Sequence, residues 1–343
     1  MKKLMVLFFL CIIPFITNAT ISEMSFGKWN IKFDDETKRA EFVKEGVTVL
    51  KDVKIKFKNG DVLLDASSYN SVKIKQEDIV DEVGKARKFT IEYTGSENSD
   101  NPIVYQNFYL YDGQDYFLTD VILQSPDNSI ISSNYIAPIS TEADNLFLPA
   151  DVNNRFITVP FDNDGFITYA SYPLSCSQTD PESLAIGRVA RDSISMEVSA
   201  IFNGETQLGL VIGSVDHDTW KSAVRITGSP LAQGKITNLE CFSGVTHHIT
   251  RDMIDGVLKP HGAVKGQQVK SARMIVHYSG DWRTGLETFG DVCCAIAPKR
   301  SWDKPAPYGW SSWGGMGTEI SYDGVVSVSD FIKENIQNKG GFG

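Results

Sequence analysis

Between about Ile21 and Pro298, apolar and polar side chains alternate with a period of two. Val72-Lys73-Ile74-Lys75 and Lys88-Phe89-Thr90-Ile91-Glu92-Tyr93 are clear cases. Such alternation turns one row of side chains to a core and the other to solvent, as in a half-buried β-strand. Turn signals punctuate the runs. Asp112-Gly113 separates Phe108–Tyr111 from Tyr116–Leu118, Asn163-Asp164-Gly165 separates Phe161 from Phe166–Tyr169, and Asn203-Gly204 separates Ser195–Phe202 from Gln207–Ile212. Asn-Gly and Asp-Gly supply the positive φ that tight hairpins need. The pattern predicts a mainly β fold, a large antiparallel β-sandwich over residues 20–297, with no internal repeat.

The period changes after Ala297. Residues 298–307 hold Pro298, Pro305 and Pro307 and read as a Pro-rich linker. Tyr308-Gly309-Trp310-Ser311-Ser312-Trp313-Gly314 reads as a short strand. A helix follows, with Ser321 as cap, Val325, Val328, Phe331, Ile332 and Ile336 at helical spacing, and Gly340 beyond its end. Strand then helix is the first βα unit of a (β/α)8 barrel, and one copy cannot close a ring of about eight. Residues 308–343 are therefore expected to be the start of such a barrel, left incomplete, and the helix is expected to expose an apolar face that drives self-association into a homo-oligomer, which light scattering would detect.

Residues 1–19 begin with Lys2 and Lys3, continue through an apolar run broken at Pro14, and close on Thr17-Asn18-Ala19. This is the pattern of a cleaved signal peptide, and it implies an exported protein, periplasmic or extracellular. Cys11 lies inside the apolar run behind Phe9-Leu10, without the small residues that precede a lipidated cysteine. No run approaches the ~20 apolar residues of a membrane span. The 343 residues, 42% hydrophobic and 11% aromatic, can bury a core and divide into more than one domain. The net charge is −10, and loss of Lys2 and Lys3 makes the remainder more acidic, which argues against nucleic acid as partner.

Cys176, Cys241, Cys293 and Cys294 remain after cleavage, and four cysteines allow three complete pairings. Export permits disulfides, but Cys293-Cys294 sits in an apolar stretch and is expected to be two small buried side chains. His247-His248 has no further ligands at zinc spacing, so no metal or cofactor is expected. Tyr105, Phe108, Tyr109, Tyr116 and Phe117 are expected to pack in the core rather than line a sugar face. Asp216-His217-Asp218, in the polar loop ending at Trp220, suggests an acid/base cluster, but consecutive side chains diverge and a satisfied turn is the preferred reading. Gly314, Gly315 and Gly317 lack the lysine of a phosphate loop. Glu319 and Asp323 read as capping or surface groups near a helix start.

Pro307-Tyr308-Gly309-Trp310-Ser311-Ser312-Trp313 resembles the PxGWNSW opening of the catalytic barrel in clan D glycoside hydrolases, families 27 and 36, with Ser311 in place of the usual Asn. The segment Leu208–Trp220, the His261-Gly262 pair, and Ser279-Gly280-Asp281-Trp282-Arg283 leading into a helix-like Gly285–Ala297 resemble family 36, whose members set a large β-sandwich before the barrel. The resemblance implies a melibiase-type α-galactosidase, of which this chain is the N-terminal part. It implies hydrolysis of terminal α-galactosides on oligo- or polysaccharides with retention, by two carboxylates about 5 Å apart. In the family those aspartates lie on later barrel strands, so the catalytic residues are expected beyond Gly343 and none is assigned in this chain. Trp313 is the one residue carried over, as an aromatic platform for galactose at the carboxyl end of the first strand. A noncatalytic carbohydrate-binding sandwich, and a clan relative that acts on another α-glycoside or transfers galactose, remain as alternatives.

Overall fold

The structure, a computed structural model, describes residues 21–142, 148, 150–159, 170–174, 193–229, 235–244, 262–304 and 309–336. Residues 1–19, the segment expected to be a signal peptide, the expected hairpin around Asn163-Asp164-Gly165, Cys176, His247-His248, His261, residues 305–308 and Gly340 lie outside the described residues. The chain divides into two compact units between Ala297 and Pro298.

The first unit is built on two large antiparallel sheets. Among the described residues, one contains nine strands, running from Ile21–Phe26 through Trp29–Asp34, Arg39–Lys44 and Val47–Asn59 to Ile136–Glu142, Lys235–Ser243, Ser222–Ser229 and Ser193–Met196, with Val62–Asp65 beside Val47–Asn59. The other contains ten and runs from Ala170–Pro173, Asn154–Thr158, Val198–Asn203 and Gly209–Ser214 to Met274–Ser279, Tyr116–Gln124, Ile103–Tyr111, Lys85–Ser96 and Tyr69–Val80. Gln268–Lys270 adds to it beside Tyr116–Gln124.

The alternation in the sequence decides which faces meet. Phe89, Ile91 and Tyr93 are buried while Lys88, Thr90 and Glu92 are half-exposed. Trp29 and Phe42 of one sheet meet Phe117 of the other edge-on, with ring centroids 4.8 and 5.1 Å apart. Such rings supply much of the apolar area a sandwich core removes from water. Phe108 and Phe117 lie in that core, Tyr116 is buried on the opposite face, and Tyr105 and Tyr109 are half-buried. The expected turns at Asp112-Gly113 and Asn203-Gly204 form. Gly113 takes φ +69° between paired strands, and the Asn203 side chain accepts from the backbone N–H groups of Glu205 and Thr206, both at 3.0 Å.

Helix α1 (Trp282–Ile296) covers part of the outer face of the ten-stranded sheet as a third layer. Asp281 caps it, accepting from the Arg283 N–H at 3.0 Å. Trp282 stacks on Phe202 at 4.2 Å, and Val292 is buried against Tyr111, Leu118 and Ile275. The expectation that Cys293 and Cys294 are both buried is corrected here: Cys293 is half-buried toward the sheet, and Cys294 is exposed. Successive helical residues point about 100° apart, so one thiol of an adjacent pair faces the sheet while the other faces solvent. Cys241, Cys293 and Cys294 are all free thiols.

In the second unit the described part of the strand-like segment is not a strand. Residues 309–311 are irregular, and Ser312–Met316 forms a short helix, α2. A barrel strand is held by neighbours on both sides, and this unit offers none among its described residues. The following helix forms as the spacing predicts. It is α3 (Tyr322–Asn335), with Ser321 Oγ accepting from the Gly324 N–H at 3.2 Å. No side chain of α3 is buried, and Phe331 is 59% exposed.

Candidate functional site

Trp313, the residue carried over from the family resemblance, is the second residue of α2 and is 72% exposed. Trp310 is held more closely, its indole edge 3.2 Å from the point where a Cβ on Gly315 would stand. A glycine at 315 therefore lets the indole lie against the helix backbone. Glu319 lies in the short 3-10 turn after α2, and Asp323 in the first turn of α3, where a helix N-terminus favours negative charge. Chemically, this unit presents an exposed indole face of the kind that stacks on the C–H face of a sugar ring.

The first unit holds denser polar chemistry on the outer face of the ten-stranded sheet. Asp120 is fully buried and accepts from Asn107 Nδ2 at 2.7 Å and from the Tyr109 hydroxyl at 3.0 Å, with Lys270 Nζ at 3.2 Å. A buried carboxylate is tolerated when donors and a cation surround it in this way. The loop after Gly209–Ser214 is indeed a satisfied turn. Asp216 accepts from the Arg273 backbone N–H at 2.9 Å and from its guanidinium at 2.8 to 3.1 Å, and the same guanidinium reaches Glu82. Burial works to raise the Asp216 carboxyl, but the Arg273 bonds outweigh it and hold the group below the ordinary carboxylate range. Trp220 closes the loop by donating its indole N–H to the Lys270 carbonyl at 2.7 Å.

His277 is buried under α1, and its Nδ1 has no hydrogen-bond partner. Burial pushes it down to about 4, Asp115 opposes that change, and Lys44 adds to it. Gly285 of α1 makes room for the ring, since a Cβ there would stand 2.7 Å from His277 Nδ1.

Nothing in the residue pattern singles out Lys270 or His277, and Asp120 was not singled out either. The available signal for Asp120 is one acidic residue inside the run Tyr116–Leu123, which apart from Thr119 is apolar and where a charge is unexpected unless it is paired. The structure also brings His217 beside Cys293, 76 positions away.

No protein-family model matches this chain, and no curated protein does. Solved structures do. An α-N-acetylgalactosaminidase, NagBb from Bifidobacterium bifidum, matches in its complex with GalNAc at 11% identity and TM-score 0.51, covering 81% of this chain and 39% of that one. The same enzyme in its Gal-NHAc-DNJ complex matches at 10% identity and TM-score 0.52. A family 36 α-galactosidase, AgaA from Geobacillus stearothermophilus, matches at 9% identity and TM-score 0.47, covering 92% of this chain and 48% of that one. The chain thus spans about two fifths of the length of the solved acetylgalactosaminidase. At these identities the likeness defines the fold: a β-sandwich shared with glycoside hydrolases.

Proposed function

We propose that this chain is the sandwich-bearing front region of an exported retaining glycoside hydrolase acting on terminal α-galactosides. The observation that carries the reading is the coincidence of a glycoside-hydrolase sandwich over the first unit with an exposed tryptophan, Trp313, in the barrel-opening motif that follows it. In this reading Trp313 stacks on the sugar, and the catalytic carboxylates come from outside these 343 residues. One carboxylate attacks the anomeric carbon while the other protonates the departing oxygen. The two then exchange roles as water releases the sugar.

A second reading has its own support. The solved enzyme matching above TM-score 0.5 is named for α-linked N-acetylgalactosamine, so the sugar bound at Trp313 could carry a 2-acetamido group. A panel of p-nitrophenyl α-glycosides tests both readings, using the 343-residue product beside the same gene read through to its natural stop codon. Release of p-nitrophenol from the galactoside by the longer protein alone is the expected result. Preference for the N-acetylgalactosaminide selects the second reading. Hydrolysis by the 343-residue product would place the carboxylates inside this chain and overturn the assignment, and no hydrolysis by either would favour a noncatalytic sugar-binding sandwich.

A further inference from the structure

The ten-stranded sheet of the first unit ends on a long strand with one neighbour. Tyr69–Val80 pairs with Lys85–Ser96 on one side without a register shift, and no described strand lies along the other. Such an edge presents unpaired backbone N–H and C=O groups to whatever comes alongside. It is also open: Lys73, Lys75, Gln76, Glu77 and Asp78 are exposed, and Val80 is 75% exposed. The strand contains no proline and its register is regular, so two of the devices that keep edges from pairing are missing.

Charge is a third such device, and here it is sorted rather than scattered. Lys73 and Lys75 come first in the strand, Glu77 and Asp78 later. A second copy of the strand laid antiparallel sets the basic part of each against the acidic part of the other. Two identical antiparallel strands are related by a two-fold axis normal to the sheet, and opposed residues point to the same face. The axis therefore passes through a residue position, and that position decides every contact. With the axis at Gln76, Lys75 faces Glu77 of the second copy, and symmetry repeats the contact; Lys73 faces Ile79 and Val72 faces Val80. Moving the axis to Lys75, Glu77 or Asp78 sets a charge against its own copy, and moving it to Ile74 sets Lys73 against Lys75. Like charges directly opposite are destabilising.

The strands behind the edge agree with this register. Lys75 Nζ lies 2.7 Å from Glu92, and Lys88 Nζ lies 3.0 Å from Glu77. At the Gln76 axis these pairs line up across four strands as Glu92 and Lys75, then Glu77 and Lys88 of the second copy, alternating in sign. On the opposite face Val72 and Ile74 pack against the core. Val80 of the second copy extends that apolar row and is itself covered. Asp78 comes beside Ile74 there, its carboxylate already paired with Arg87 at 2.8 Å.

We propose that the free edge of Tyr69–Val80 is a homodimer surface, where a second copy of this chain adds its own edge strand antiparallel about an axis at Gln76 and joins two ten-stranded sheets into one. The interface is independent of the glycosidase reading and of the apolar face of α3.

Sedimentation velocity on the full 343-residue chain tests it, across about 1–100 μM, the range in which modest interfaces are read. Wild type is expected to show a reversible monomer–dimer equilibrium. Lys75→Glu and Glu77→Lys should each weaken the dimer by about tenfold or more, because each sets like charges opposite at both symmetry-related contacts. An equimolar mixture of the two variants should restore a dimer, since the reversed charges are then complementary across the axis. Tryptophan fluorescence checks that each variant keeps its fold. A second measurement leaves these charges untouched: Gln76→Cys, whose position lies on the axis, should give a disulfide between copies under mild oxidation, assigned by peptide mass spectrometry, and Lys73→Cys, away from the axis, should not link to its own copy. A monomer throughout the range would overturn the proposal. So would association unchanged in the single variants, which would point to α3, a mixture of folded variants that fails to dimerise, or no link at position 76.

Discussion

Stability of the sandwich unit should depend on His277 between pH 6.5 and 4. The ring is buried beneath α1, its Nδ1 has no hydrogen-bond partner, and burial holds it down to about 4 from an ordinary value of 6.5. Between those values the unfolded chain binds a proton at this residue and the folded chain does not. The contribution is therefore fully present above pH 6.5 and is lost as pH falls toward 4. At 1.36 kcal/mol for each pH unit, the full loss is about 3 kcal/mol. The charged groups acting on the ring are Asp115, which favours the protonated form, and Lys44 and Lys28, which oppose it. His277→Asn removes the titration at the cost of a small cavity. Urea unfolding followed by tryptophan fluorescence at half-unit pH steps gives both curves, and their difference cancels the carboxylates common to both proteins. The difference should slope by up to about 3 kcal/mol across this window and flatten above pH 6.5. A difference that stays flat from pH 6.5 to 4 would show that His277 is solvated or protonated in the folded state, and would refute the burial argument.

Three further outcomes are open to simple assays. Gly285→Ala should destabilise the first unit by about 1–3 kcal/mol in urea unfolding, because its Cβ would stand 2.7 Å from both His277 Nδ1 and Val211 Cγ2. Asp216→Asn removes one of the two carboxylate partners, with Glu82, of a guanidinium that is largely buried, and should cost about 1.5–3 kcal/mol by the same measurement. Trp313→Ala should change stability by no more than about 0.5 kcal/mol, given its exposure. In the read-through protein it should raise KM for the galactoside by about tenfold, as expected for a lost stacking platform; an unchanged KM would remove Trp313 from the sugar site.

The strands were legible because a two-residue period has one physical cause, a sheet with a wet face and a dry face. Phe89, Ile91 and Tyr93 turn inward as their alternation with charged and polar neighbours requires. The hairpin at Gly113 and the helix after Ser321 were legible from local chemistry, a positive φ in one case and a side-chain cap in the other. The segment around Trp310 was not. Seven residues of aromatic, serine and glycine fit a strand or a helical turn equally well, and the choice depends on whether other strands lie alongside. Cys293 and Cys294 illustrate a related limit, since an apolar run gives burial only on average and the helix splits adjacent residues between sheet and solvent. The meeting of Cys293, His217 and Glu197 was invisible for a different reason. It arises from the order of strands in the sheet, which places residues far apart in sequence on neighbouring elements.

The proposal of a retaining α-glycosidase is tested most directly by the anomer released. The gene read through to its stop codon is incubated with an α-galactoside in deuterated buffer, and the anomeric protons are followed by NMR before mutarotation scrambles them. The α-anomer of galactose should accumulate first, with the β-anomer rising only at the rate of spontaneous mutarotation. First appearance of the β-anomer, or no galactose at all from an extended and folded protein, would contradict it.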